Sequence, residues 1–291
     1  MGTVIDRLDV TRGGWRTRHS ALHLAVAAAQ TCLERAGRNA DDLDLLVNVG
    51  LYRDRNLGEP ALAALIQDDI GAHPEDPHDD THGTFSFDVA NGSCGALNGL
   101  QIVDGFLRSH TIDWALVVAS DADPGRGMSE HFPFAPTGGA ILCRWTDDEF
   151  GLGPVHWVNR YDAGESFCAT VGLEDARNVL RFRESDSMDE RFATAGAQAA
   201  RECLEASSLD LADVDLIVAA PARRKFRATL AEHLGVPVPR IVVADDERMH
   251  TASLVAALDR RTGGIPAGNR VLIIAVGAGV TAGAALYSEH P

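Results

Sequence analysis

Residues 85–124 read FSFDVANGSCGALNGLQIVDGFLRSHTIDWALVVASDADP, and the pattern is strand, tight turn, apolar helix, strand. Residues 85–89 alternate apolar and polar side chains, as a short strand does. Asn91, Gly92 and Ser93 break that alternation. Between Gly95 and Leu107 only Asn98, Gln101 and Asp104 are strongly polar, so the helix is apolar on most faces and belongs inside the protein. Residues 115–119 form a continuous apolar run of buried-strand length. Ser93 and Cys94 therefore stand where a strand feeds the N-terminus of a buried helix. Backbone N–H groups and the positive end of the helix dipole collect there. Such a place lowers a thiol's pKa and can hold a developing oxyanion. The plain structural alternative makes Ser93 a helix cap and Cys94 a small core residue.

Working outward, the same order of elements occurs twice. Residues 27–50, AAAQTCLERAGRNADDLDLLVNVG, align without a gap on residues 198–221, QAARECLEASSLDLADVDLIVAAP. Cys32-Leu33-Glu34 falls on Cys203-Leu204-Glu205, and Asp42 and Asp44 fall on Asp213 and Asp215. Residues 85–119 are answered in order by 241–275. So long a period means a duplicated α/β unit, with halves at 1–150 and 151–291, rather than a solenoid. The buried helix of the second half begins at Met249-His250. If the halves pack about a pseudo-twofold axis, that start faces Ser93-Cys94. A hydroxyl or thiol then meets an imidazole, the pairing of nucleophile and base that acyl transfer uses.

Other elements follow from local signals. Helices are expected over 20–36, 59–70, 188–206, 225–234 and 250–261, the first capped by Ser20 and several stopped by Gly37, Gly71 and Gly235. Strands are expected over 4–10, as an edge, and over 44–49, 139–145, 156–161, 214–219, 240–244, 271–276 and 283–287. Residues 162–187 carry only weak patterning.

Bulk properties narrow the function. The chain has 291 residues, a formal net charge of −16 and 45% hydrophobic residues. An acidic total without a basic patch speaks against a nucleic-acid partner. The five cysteines lie far apart with no C-x-x-C pair, which suits a reducing cytoplasm rather than a zinc ribbon or a disulfide framework. No membrane span or signal peptide is expected. The run HPEDPHDDTH (73–82) has irregular spacing and reads as a solvated loop; no metal site is expected. GAGVTAG (277–283) lacks the following helix that a dinucleotide loop requires.

Four stretches together resemble the thiolase-like superfamily, in its ketoacyl synthase III branch: FDVANGSCGALNGLQIVDGFLRS, ALVVASD, IVVADDERMHTASLVAALDRR and VLIIAVGAGVTAGAALY. The resemblance covers nearly the whole chain. It implies a five-layer α-β-α-β-α fold of two pseudo-duplicated halves, a homodimer, and an acyl-CoA or acyl carrier protein as donor, with no permanently bound cofactor. Family members use a Cys nucleophile at the first buried helix, with a His and an Asn, or two His, from the second half. Carried onto this chain, the nucleophile position falls on Ser93, or on Cys94 with a one-residue shift. The second-half polar residue falls on His250, and the oxyanion donor of the glycine-rich loop on Ala278. The family's His-x-x-Asn is absent: residues 219–226 are AAPARRKF. Arg223, Arg224 and Lys225 there could anchor the phosphate of a CoA or pantetheine donor. The implied function is an atypical acyltransferase or condensing enzyme of polyketide, fatty-acid or specialised-metabolite synthesis. The alternative is a non-catalytic thiolase-fold partner that binds acyl chains, a carrier protein or an active paralogue.

Overall fold

The computed structural model describes residues 2–72, 83–161, 164–260 and 268–289. The first half runs β1 (Gly2–Arg12), α1 (Ala21–Ala36), β2 (Leu45–Asn48), α2 (Leu62–Ile70), β3 (Phe85–Asp88), α3 (Gly95–Arg108), β4 (Trp114–Asp121) and β5 (Thr137–Thr146). Next come β6 (Gly151–Leu152), β7 (His156–Asn159), β8 (Phe167–Glu174) and β9 (Arg177–Glu184). The chain continues with α4 (Met188–Ala206), β10 (Leu216–Ala220), α5 (Arg224–Leu234), β11 (Ile241–Val242), α6 (Ser253–Asp259), β12 (Arg270–Gly277) and β13 (Thr281–Ser288).

Each half lays its strands in one order. The first is β3-β2-β4-β5-β1, with β2, β3 and β4 parallel and β5 antiparallel. The second is β11-β10-β12-β13-β7, with the same senses. The aspartates that betray the repeat do the same work in both. Asp42 and Asp213 close capping boxes on matching 3-10 turns. Asp44 accepts from the Trp114 N–H and Asp215 from the Arg270 N–H, each pinning the start of the neighbouring strand.

Alternation along the strands produces the layers. In β12, Val271, Ile273 and Ala275 face one cluster while Leu272, Ile274 and Val276 face another. The central cluster holds α3 and α6 between the inner faces of both halves. A second packs α4 and α5 on one outer face, and a third packs α1 and α2 on the other. The order is α-β-α-β-α, as the resemblance implies. The short β6 bonds to β1 through Thr3 and to β13 through Tyr287, joining the halves into one 11-stranded sheet.

Two expectations fail. β1 is not an edge strand: β5 runs along its length on one side and β6 meets it on the other. Asp9, a charged residue in this strand, is buried against Arg35 of α1 at 2.5 Å. The weakly patterned 162–187 contains the hairpin β8–β9. Residues 73–82, including the His-rich run, lie outside the described residues, as does Arg261; the helix expected over 250–261 is α6 and starts at Ser253, after a turn that carries His250.

Helix α1 lies on β5 closely enough that a Cβ at Gly138 would stand 2.1 Å from the Leu24 carbonyl oxygen. Both partners are backbone, so no rotamer relieves the clash. Gly138→Ala is expected to lower stability by about 3 kcal/mol, read as a lower urea midpoint; an unchanged midpoint contradicts this packing.

Candidate active site

Gly92, Ser93 and Cys94 form one 3-10 turn ahead of α3. Gly92 has φ +50°, and a Cβ there would lie 3.3 Å from His250 Nε2. Glycine thus serves both the turn and the approach of the imidazole. Ser93 is 3% exposed and donates from Oγ to the Val276 carbonyl at 2.5 Å. It is not the cap of α3, whose cap position is Cys94 without a side-chain bond. Cys94 is fully buried in the central cluster, with Sγ 3.3 Å from the Thr281 carbonyl. Burial pushes its thiol far up from the ordinary range. Gly277 closes the back of the turn: a Cβ there would stand 3.2 Å from Cys94 Sγ and 3.3 Å from Ser93 Oγ. Ala278 follows directly, in the 3-10 turn between β12 and β13.

His250 lies in the turn before α6, opposite that elbow, as the repeat suggested. Its side chain is 11% exposed, and Nδ1 stands 3.5 Å from Asp121 Oδ2. Asp121, the last residue of β4, is 1% exposed. Its Oδ2 also accepts from Thr251 N at 2.8 Å and Thr251 Oγ1 at 2.7 Å, and Oδ1 accepts from Tyr52 N at 3.2 Å. Aromatic rings fix the imidazole plane. Phe134 stacks on it at 4.2 Å between centroids, and Tyr52 lies at 5.2 Å.

Ser93 and His250 share the wall of a cavity of about 550 Å³. Phe134, Phe167, Phe182, Met188 and Phe192 supply its apolar lining. Phe167 and Phe182 come from the β8–β9 hairpin, which Asn56 bolts down by donating to the Met128 and Asn178 carbonyls at 2.8 and 2.7 Å. Cys94 is not among the lining residues.

The basic cluster lines the mouth but is largely committed. Arg223 forks onto Asp189 at 2.7 and 3.2 Å and reaches Glu184 at 3.1 Å. Lys225 donates to the Asp186 carbonyl at 2.9 Å. Arg224 has a side chain 90% exposed and only a 3.8 Å contact with Glu247. Of the three, Arg223 is held by carboxylates, while Lys225 keeps its charge and Arg224 is largely exposed. Among the described residues no group of three His, Cys, Asp or Glu is placed to hold a metal ion. No helix among them is long and apolar enough to cross a membrane.

Of the residues the sequence singled out, the structure brings Ser93 and His250 to one cavity wall; the sequence did not point to Asp121, Tyr52, Phe134 or the hairpin aromatics around them. Asp121 carried a faint signal, an acid ending a strand of otherwise buried residues.

Comparison with known proteins shows what this chain is similar to. The chain superposes on 3-oxoacyl-[acyl-carrier-protein] synthase III from Aquifex aeolicus VF5 with a TM-score of 0.80 at 20% identity, covering 99% of this chain and 100% of that one. It superposes on the priming beta-ketosynthase from the R1128 polyketide biosynthetic pathway with a TM-score of 0.79 at 22% identity, over 99% and 96%. The fold is that of the thiolase superfamily. The model of the 3-oxoacyl-[acyl-carrier-protein] synthase III C-terminal region matches residues 204–288. The beta-ketoacyl-[acyl-carrier-protein] synthase III of Acidiphilium cryptum (strain JF-5) is 29% identical over 311 residues, covering 98% of this chain and 92% of that protein. In sequence the chain is thus similar to ketoacyl synthase III proteins over nearly its whole length, and in fold it matches solved structures of that type.

Burial raises the thiols of Cys32 to about 12 and Cys203 to about 11, and pushes those of Cys94 and Cys143 higher still. Cys168, in β8, is the one cysteine not buried. Brief alkylation of the folded protein at pH 8 is expected to modify Cys168 and spare Cys94, read by peptide mass mapping. Rapid labelling of Cys94 would contradict its placement.

Proposed function

We propose that this protein is an acyltransferase of the ketoacyl synthase III type with Ser93 as nucleophile, His250 as base and Asp121 as the residue that positions the imidazole. The donor is the thioester of CoA or an acyl carrier protein, in fatty-acid, polyketide or specialised-metabolite synthesis. The observation that carries the reading is the Asp121–His250 pair standing opposite the Ser93 elbow on one cavity wall. Serine needs an adjacent base to act as a nucleophile, and this arrangement offers one.

The first half-reaction follows from these groups. Ser93 Oγ turns from the Val276 carbonyl to His250 Nε2, surrenders its proton there and bonds to the thioester carbon. The N–H groups of Ser93 and Ala278 hold the oxyanion. The C–S bond breaks, and the imidazolium proton goes to the departing thiolate. Asp121 keeps the other proton on Nδ1, the tautomer that leaves Nε2 free to accept. At 3.5 Å the Nδ1 contact is not a formed hydrogen bond, and in this reading it closes when the imidazole takes up charge. Arg224 at the mouth is the contact for a donor phosphate. The reading includes a homodimer, because β3 ends the sheet with Phe85 59% exposed and no partner strand on its outer side among the described residues.

A second reading, the non-catalytic partner, is favoured by one observation: the Ser93 hydroxyl is bonded to Val276 rather than to the imidazole. Thiol release from a panel of acyl-CoAs separates the two. Ser93→Ala abolishes release and Cys94→Ala leaves it near wild type. His250→Ala lowers kcat by roughly 10²–10⁴-fold. Asp121→Asn lowers kcat by up to roughly 10⁴-fold while KM for the thioester holds. Absence of release from any donor supports the non-catalytic partner instead.

A further inference from the structure

The replacement of a thiol by a hydroxyl at the elbow says something about where the acyl group goes next. We infer that the acyl group on Ser93 is delivered to the hydroxyl or amine of a small acceptor, and not to a carrier thiol or to a decarboxylating malonyl unit. The inference rests on the function proposed above and specifies the second substrate of that same site.

The first argument is energetic. Sulfur overlaps poorly with a carbonyl, so a thioester lies well above an oxyester in free energy. Moving an acyl group from a thioester onto Ser93 Oγ runs downhill. Returning it to a thiol runs uphill, whereas passing it to an alcohol is level and to an amine downhill. The neighbouring thiol does not substitute, because Cys94 is fully buried and bonded to the Thr281 carbonyl.

The second argument is the cavity's chemistry. Carbon–carbon condensation by loss of CO2 leaves an enolate whose oxygen needs hydrogen-bond donors. The end of β10 and the residues after it are Ala219, Ala220, Pro221 and Ala222, none with a polar side chain. Phe134, Phe167, Phe182 and Phe192 line the cavity, and the donors that also line it, Arg223, Arg224, Lys225 and Arg248, belong to the charged cluster and the Glu247–Arg248 turn rather than to the end of β10. An O–H or N–H acceptor asks for something different, a base at its proton, and His250 backed by Asp121 is that base. Glu130 and Glu184 also line the cavity, but each is engaged in an ion pair, with Arg181 at 2.8 Å and Arg223 at 3.1 Å, so the base is the polar feature the inference relies on.

The step balances without a further reagent. The acceptor's O–H or N–H proton passes to His250 Nε2 as the heteroatom bonds to the acyl carbon. The bond between that carbon and Ser93 Oγ breaks, and the proton returns to Oγ. The product is an ester or an amide.

The test uses full-length protein loaded from a panel of acetyl-, propionyl-, butyryl- and benzoyl-CoA, then freed of CoA by gel filtration. Loaded samples are challenged with polyol and primary-amine probes, with CoA and pantetheine, and with malonyl-CoA. Discharge by at least one hydroxyl or amine probe is expected at roughly a hundredfold the rate in water, a general-base effect lost in His250→Ala. CoA regenerates no acyl-CoA from wild type but does so from Ser93→Cys, whose acyl bond is again a thioester. Discharge by thiols, release of CO2 from malonyl-CoA, or discharge by water alone overturns the inference while leaving acylation of Ser93 intact. Failure to load any acyl group overturns the proposed function and this inference with it.

Discussion

A single buried carboxylate holds the two halves of this molecule in working order. Asp121 ends β4 in the first half, accepts from the backbone of Tyr52 beside it, and reaches across to the backbone and hydroxyl of Thr251 in the second half. A carboxylate 1% exposed is tolerable only with such donors around it. Those bonds fix the turn that carries His250, and the same Oδ2 faces the imidazole. Fold and site therefore lean on one side chain.

The remaining constraint is closeness. The elbow is squeezed between His250 on one side and the β12–β13 turn on the other, and Gly92 and Gly277 make both approaches possible. Buried alongside them, Cys94 and Ser93 share a turn yet meet different surroundings: one looks into the central core, the other onto the cavity wall. That difference of one residue decides which can touch a substrate. The hairpin β8–β9 adds the aromatic wall.

Much of this was legible in the amino-acid sequence, because the same physical task recurs at matching positions. Asp42 and Asp213 cap the same turn, and Asp44 and Asp215 pin the same strand start, so the duplication shows as identity. Ser20 and Gly37 bound α1 through local bonds that a local reading finds. His250 emerged because the repeat placed it opposite Ser93. What escaped depends on distant partners. Asp121 looks like any acid entering a loop until Thr251 arrives. Arg223 reads as part of a free basic run, yet its partners Asp189 and Glu184 are 34 and 39 residues away. The hairpin was hidden by its turn: Asp175 and Ala176 adopt φ of +46° and +61° without the glycine or asparagine that usually marks such a turn.

The central claim is that covalent chemistry occurs at Ser93 through the Asp121–His250 pair. The direct measurement is to incubate the protein with acyl-CoA, quench in acid, digest, and locate the added mass by fragmentation. The account predicts an acyl group on Ser93, resistant to neutral hydroxylamine as an oxyester is. An acyl group on Cys94, labile to hydroxylamine, or none on either residue would contradict it.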